Sequence, residues 1–140
     1  VGVPGMLEVE HHPGLVHLVS TVSGELLPRT TWPKILAATF PPGSVTGAPK
    51  IAALEIIDAL EAGPRGPYCG AFGWVDADRG TAELAVAIRT FWREDGSGGP
   101  QLAFGTGAGI TWDSDPQAEW RETQLKSARL LDVAGSGEMP

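Results

Sequence analysis

Three side chains near the C-terminus have the types and spacing for chemistry: Glu119, Glu122 and Lys126. Steps of three and four residues place all three on one face of a helix. Two readings fit. One is a solvated face carrying an ordinary Glu–Lys pair. The other is a carboxylate pair turned into a cleft to hold a hard cation through oxygen, as Mg²⁺ requires. Spacing does not choose between them. Upstream, Gly105-Thr-Gly107-Ala-Gly109 sits at the end of an expected strand. Glycines there let backbone N–H groups approach an anion, and they equally suit a tight turn or bulge. The run precedes extended chain and opens no helix, so it is not a dinucleotide fingerprint.

A second loop, Gly-Ser-Val-Thr-Gly-Ala-Pro-Lys (43–50), superficially resembles a phosphate loop. Its spacing differs, and Pro49 removes an amide donor beside Lys50. What remains is a loop feeding a helix N-terminus, with Thr46, Gly47 and Lys50 near it. That suits an anion or simply a capped helix. Arg89 interrupts the apolar run Ala-Val-Ala-Ile-Arg-Thr-Phe. Its guanidinium either faces solvent by strand alternation or grips a carboxylate. Arg65 and Tyr68 flank Pro67 in a loop, where Tyr68 packs or touches ligand. His17 sits in a β-branched run as a core histidine would. Cys69, the single cysteine, has no partner for nucleophilic chemistry and reads as packing.

These residues need elements to position them. A strand is expected over 16–22, and residues 1–15 read as irregular with at most one short strand. Thr31 N-caps a short helix with Pro33 in its first turn, ending near Thr39; 41–47 form a loop. A second helix spans about Pro49–Glu61, with Ala53, Ile56, Ile57 and Leu60 as its apolar stripe. Strands at 70–76 and 82–92 flank the turn formers Asp76–Gly80 and imply a hairpin. A third strand covers 101–106. Ser114 or Asp115 caps a last helix reaching about Val133, with Ser114 and Gln117 in capping-box register; a flexible tail is expected at 134–140. Adjacent hairpin strands with helices packed on them predict an α+β antiparallel arrangement.

Composition narrows the classes. The 140 residues suit one domain, and an apolar content of 42% permits a core. A formal charge of −7 argues against nucleic acid and anionic membranes as partners. An anionic ligand would therefore need a local cluster of donors. A single cysteine fits a reducing, cytoplasmic compartment, and no apolar run is long enough for a membrane span.

Taken in order, several blocks resemble chorismate-utilising enzymes. They are His-Leu-Val-Ser-Thr-Val-Ser-Gly-Glu-Leu (17–26), Phe-Pro-Pro-Gly-Ser-Val-Thr-Gly-Ala-Pro-Lys (40–50), Glu-Ile-Ile-Asp (55–58), Arg-Gly-Pro-Tyr-Cys-Gly-Ala (65–71), Ala-Ile-Arg-Thr (87–90), and Gly-Ala-Gly-Ile onward to Lys126. The resemblance covers about Val9–Leu131. It implies an α/β fold, the C-terminal part of an anthranilate synthase component I-like domain, built as an antiparallel β-sandwich flanked by helices. It implies chorismate as ligand and Mg²⁺ as cofactor. By this resemblance Glu122 is the metal-binding carboxylate, and Glu119 supports the metal through water. Tyr68, Arg89 and the backbone at Gly107 and Gly109 hold the enolpyruvyl carboxylate, while Thr46 and Gly47 lie near the ring carboxylate. His17 stands near the leaving hydroxyl, and Lys126 lines the site. A glutamine amidotransferase subunit or domain would supply ammonia.

The family's upstream Glu and Asp-Leu-x-Arg-Asn-Asp stretch do not occur here, so the chain is expected to be a partial catalytic domain without synthase activity by itself. The wording of 66–76 and 104–112 resembles aminodeoxychorismate synthase component I most. Anthranilate synthase component I and a non-catalytic remnant are the alternatives.

Overall fold

The computed structural model describes residues 1–136 except Gly14 and Ser97. The chain forms two compact units, Val1–Leu36 and Ala37 onward.

The first unit is built on an antiparallel ribbon of β1 (Gly2–His12) and β2 (Leu15–Ser23). β2 lies where the β-branched run places it. β1 is far longer than the short strand expected from its Pro and Gly content. Register shifts at Gly2/Gly5 and Gly5/Glu8 absorb those residues as bulges. At Leu7, which adopts φ 51°, the backbone N–H turns to the Ser20 hydroxyl at 3.0 Å instead of a strand partner. Helix α1 (Trp32–Thr39) follows the expected course.

In the second unit, α2 (Gly43–Thr46) is one helical turn where a loop was expected. The Pro42 carbonyl accepts from Val45 and Thr46 N–H groups and from the Thr46 hydroxyl, so the turn is closed by local bonds. α3 (Lys50–Leu60) begins after Pro49, whose carbonyl accepts the Ala53 N–H at 3.0 Å. Its covered stripe is Ala53, Leu54 and Ile57, while Ile56 and Leu60, expected inside, are exposed.

β3 (Ala71–Asp76) and β4 (Thr81–Val86) pair as the expected hairpin. Asp76 Oδ1 accepts the N–H groups of Asp78 and Arg79, each at 3.0 Å, and Gly80 supplies the positive φ that closes the turn. Along β4, Ala82, Leu84 and Val86 face the covered side. The strand expected over 82–92 is two strands. β4 ends at Val86; β5 (Phe91–Gly96) then pairs with β6 (Gly99–Phe104). The break falls at Arg89, whose φ of 52° is outside any β conformation.

Helix α4 (Pro116–Ser136) is capped by Asp115, whose Oδ1 accepts the Ala118 N–H at 2.8 Å. It extends three residues past the expected end at Val133, into the expected tail; the rest of that tail, 137–140, lies outside the described residues.

The fold is thus α+β with antiparallel pairing throughout. Among the described residues the strands form three two-stranded ribbons. Among the described residues only Gly5, Cys69, Ala87 and Ser127 are buried, while Trp74, Leu102, Trp112, Trp120 and Leu125 are exposed.

Candidate functional site

The segment Arg65–Gly70 is fastened to the end of the β3–β4 ribbon. The Cys69 N–H donates to the Ala87 carbonyl and the Ala87 N–H to the Gly70 carbonyl, both at 2.9 Å. Cys69 and Ala87 are the two buried apolar residues, so this junction is the best-covered point of the unit. Immediately beside it the chain turns twice into left-handed backbone, at Cys69 (φ 67°) and at Arg89 (φ 52°). Such conformations cost on the order of 1 kcal/mol each and persist where surrounding bonds hold them. They bring Tyr68 and Arg89 into one cleft.

That cleft has a volume of about 170 Å³ and is framed by Tyr68, Ile88 and Arg89, by Gly105–Gly109, by Ser44 and Val45 of α2, and by Lys126 of α4. Five residues singled out from sequence therefore meet there: Tyr68, Arg89, Gly107, Gly109 and Lys126. Arg89 is exposed and, among the described residues, makes no ion pair or side-chain hydrogen bond. The half-buried Tyr68 side chain lies against the glycine loop at Gly105 and Gly107. A Cβ added to Gly105 would stand 2.5 Å from Tyr68 Cδ2, and one on Gly107 would stand 3.1 Å from the Tyr68 hydroxyl. Burial raises the Tyr68 phenol above its usual range, with the Cys69 thiol adding to the shift and the Arg65 guanidinium opposing it.

The other candidates are not among the residues that line the cleft. Thr46 and Gly47 close α2 but do not frame the cleft; their neighbours Ser44 and Val45 do. Gly47, at φ 112°, is held beside Ala53. On α4 the covered stripe runs Glu119, Thr123, Lys126, Ser127 and Leu130. The Thr123 carbonyl receives the Thr106 hydroxyl at 3.5 Å, which ties the helix to the glycine loop. Glu119 accepts from the Ser114 hydroxyl at 2.5 Å, so Ser114 serves Glu119 and forms no box with Gln117. Glu122 is ion-paired with Lys126 and reaches the cleft only through it. His17 belongs to the first unit, where it is half-buried with its ring centroid 5.3 Å from that of His12.

Ser44, Val45, Ile88, Gly105, Thr106 and Ala108 also frame the cleft; each lies inside a motif read from the sequence (43–50, 87–90 and 105–109), but none is assigned a ligand-holding role there.

Glu119 and Glu122 on α4 are hard oxygen donors one turn apart. No group of three or more His, Cys, Asp or Glu side chains converges among the described residues. Such a donor set suits a cation that keeps waters and takes ligands from substrate, as Mg²⁺ does, and does not suit an all-protein cage. Among the described residues no helix is long and apolar enough to cross a membrane.

The α+β unit thus brings a guanidinium, a phenol, a lysine of α4 and a glycine loop to one cleft. The family model for chorismate binding enzymes matches residues 1–132, and the chain belongs to that family. It is 44% identical over 135 residues to anthranilate synthase component 1 of Synechocystis sp., a match covering 95% of this chain and 26% of that protein. It is 42% identical over 131 residues to the aminodeoxychorismate synthase of Streptomyces pristinaespiralis, covering 94% of this chain and 18% of that protein. Among solved structures, anthranilate synthase component I from Streptococcus pneumoniae superposes with a TM-score of 0.76 at 39% identity, over 92% of this chain and 28% of that one. The chain therefore spans about a quarter of the first of these relatives.

Proposed function

We propose that this chain supplies the carboxylate-holding wall of a chorismate-aminating site. The observation that carries the reading is an unpaired guanidinium, Arg89, in one cleft with Tyr68, Lys126 and the glycine loop, in a protein of net charge −7. Repulsion from the overall charge makes such a concentration of donors the condition for holding a dianion like chorismate. Arg89 offers a planar fork to a carboxylate, and its left-handed backbone aims that fork off the strand. Gly107 and Gly109, both exposed, leave their amides open to a second oxygen. Fixing the enolpyruvyl carboxylate in this way orients the ring, and fixed donors need no reorganisation as the reaction proceeds.

Glu122 and Glu119 would hold Mg²⁺ together with water and the substrate. When bound, the ion would polarise the ring carboxylate as a Lewis acid. Lys126 is ion-paired with Glu122 one turn away along the helix face. At about 170 Å³ the cleft is smaller than the roughly 300–1,000 Å³ of most small-molecule sites, consistent with one wall of a larger pocket. On this reading the exposed apolar side chains of the ribbons and α4 are covered by the rest of a longer catalytic domain, and the 140-residue chain binds without converting. Ammonia would come from a glutamine amidotransferase.

The wording of 66–76 and 104–112 favours amination at C4, giving 4-amino-4-deoxychorismate on the way to p-aminobenzoate and folate. Amination at C2, giving anthranilate, is the second reading, favoured by the 44% identity to an anthranilate synthase component 1. Tyr68 is the single tyrosine, so a tyrosine labelled with ¹³C at Cζ gives one resonance inside the cleft. Titrating chorismate should shift it saturably. No shift at millimolar chorismate would overturn the reading. Analysing the product formed from chorismate and ammonia by the longer protein separates C4 from C2.

A further inference from the structure

Beside the cleft residue Tyr68, Arg65 reaches back four residues, past the end of α3, to Glu61. Its Nε stands 2.9 Å and 3.1 Å from the two carboxylate oxygens, and its Nη2 stands 2.6 Å from Oε1. Its Nη1 donates to Cys69 Sγ at 3.5 Å, and its Cζ lies 5.7 Å from the centroid of the Tyr68 ring. One guanidinium therefore touches three partners, of which Tyr68 alone frames the cleft. A cation within about 6 Å of an aromatic face is attracted by the ring quadrupole. The same ring lies against Gly105, where an added Cβ would stand 2.5 Å from Tyr68 Cδ2.

We propose that Arg65 is a positioning residue: clamped by Glu61, it presses the Tyr68 ring against Gly105 and so sets where the phenolic hydroxyl stands in the cleft. The consequence for chorismate rests on the proposed function. The coupling of Arg65 to Tyr68 does not. The charged and titratable groups around the phenol are Arg65, Glu61 and Cys69 on its own segment, with Arg89 and Lys126 around the cleft. Arg65 opposes the upward shift that burial imposes on the phenol. Removing it should raise the phenol's titration midpoint further.

The test follows the labelled Tyr68 resonance through pH in the wild type, Arg65→Met and Arg65→Lys. A unit charge about 6 Å away in a water-like medium moves a midpoint by about half a pH unit. Arg65→Met should therefore titrate about half a unit higher than wild type, and it should bind chorismate about fivefold more weakly. A midpoint that is unchanged or lower overturns the proposal. Should Arg65→Met fail to fold, Arg65→Lys decides. Lysine keeps the charge but lacks the fork that spans Glu61 and the ring. Its Tyr68 resonance at neutral pH should move toward that of an unstructured tyrosine, and a resonance left in place overturns the proposal. If wild type shows no response to chorismate, the proposed function fails, while the titration and the neutral-pH shift still decide the role of Arg65.

Discussion

Gly105→Ala probes whether the Tyr68 ring is seated as described. An added methyl would stand 2.5 Å from Tyr68 Cδ2 and 2.9 Å from Tyr68 Cβ. Carbon atoms settle at about 3.5–4.0 Å, so the ring must retreat by about 1 Å. The backbone at Gly105 is not in the left-handed region, so conformational strain is not the cause. Forcing a methyl into an occupied site costs about 1–3 kcal/mol. For a chain of this length that corresponds to a fall of about 3–10 °C in Tm, provided unfolding is cooperative. Displacing the hydroxyl should weaken chorismate binding by about tenfold, because it loses one hydrogen bond to a charged group. Thermal melts followed by far-UV circular dichroism read the first effect, and the labelled-tyrosine titration reads the second. Gly63→Ala is the control, since nothing lies within 4 Å of a Cβ there. A Gly105→Ala protein with wild-type melting, an unmoved Tyr68 resonance and wild-type chorismate affinity would refute the seating argument.

Other outcomes follow from the same geometry. Arg65 holds the Glu61 carboxyl below its usual range by a direct hydrogen bond. Its folded value is therefore below its unfolded one, and the associated stability is present above the usual carboxylate range and lost as pH falls through the depressed value. Acid melts should show Glu61→Gln with a flatter decline than wild type; parallel curves would contradict the pairing. Tyr68 has the opposite sign, because its phenol is raised. Its contribution is complete below the usual tyrosine range and lost as pH rises through the raised value, so Tyr68→Phe should be less sensitive to alkali than wild type in the same melts. Adding Mg²⁺ should tighten chorismate binding in wild type, measured on the Tyr68 resonance. Glu122→Gln should abolish that increment while leaving metal-free binding within about twofold; an undiminished Mg²⁺ effect would remove Glu122 from the metal's ligands.

Much of this architecture is legible in the sequence where local chemistry and packing agree. The turn formers Asp76–Gly80 fold as a hairpin because Asp76 accepts two backbone N–H groups and Gly80 takes the positive φ. Asp115 caps α4 where an acidic residue before Pro116 implies a start. The break at 87–90 is different. Ala-Val-Ala-Ile-Arg-Thr-Phe is β-branched and apolar, so every local preference favours strand. Only the pairing of Cys69 with Ala87 forces the chain aside. A left-handed arginine has no sequence signature, yet that conformation turns Arg89 from a strand residue into part of the cleft. β1 was hidden by its own bulges, and the side of α3 that is covered depends on its neighbours in space.

The account stands on Arg89 as the principal holder of an anionic carboxylate. Arg89→Asn tests it most directly, because asparagine tolerates the left-handed backbone while removing the charge. Chorismate titrated against the two proteins, read at the single tyrosine, should bind the variant about 10- to 100-fold more weakly than wild type. Equal affinities in two equally folded proteins would contradict it.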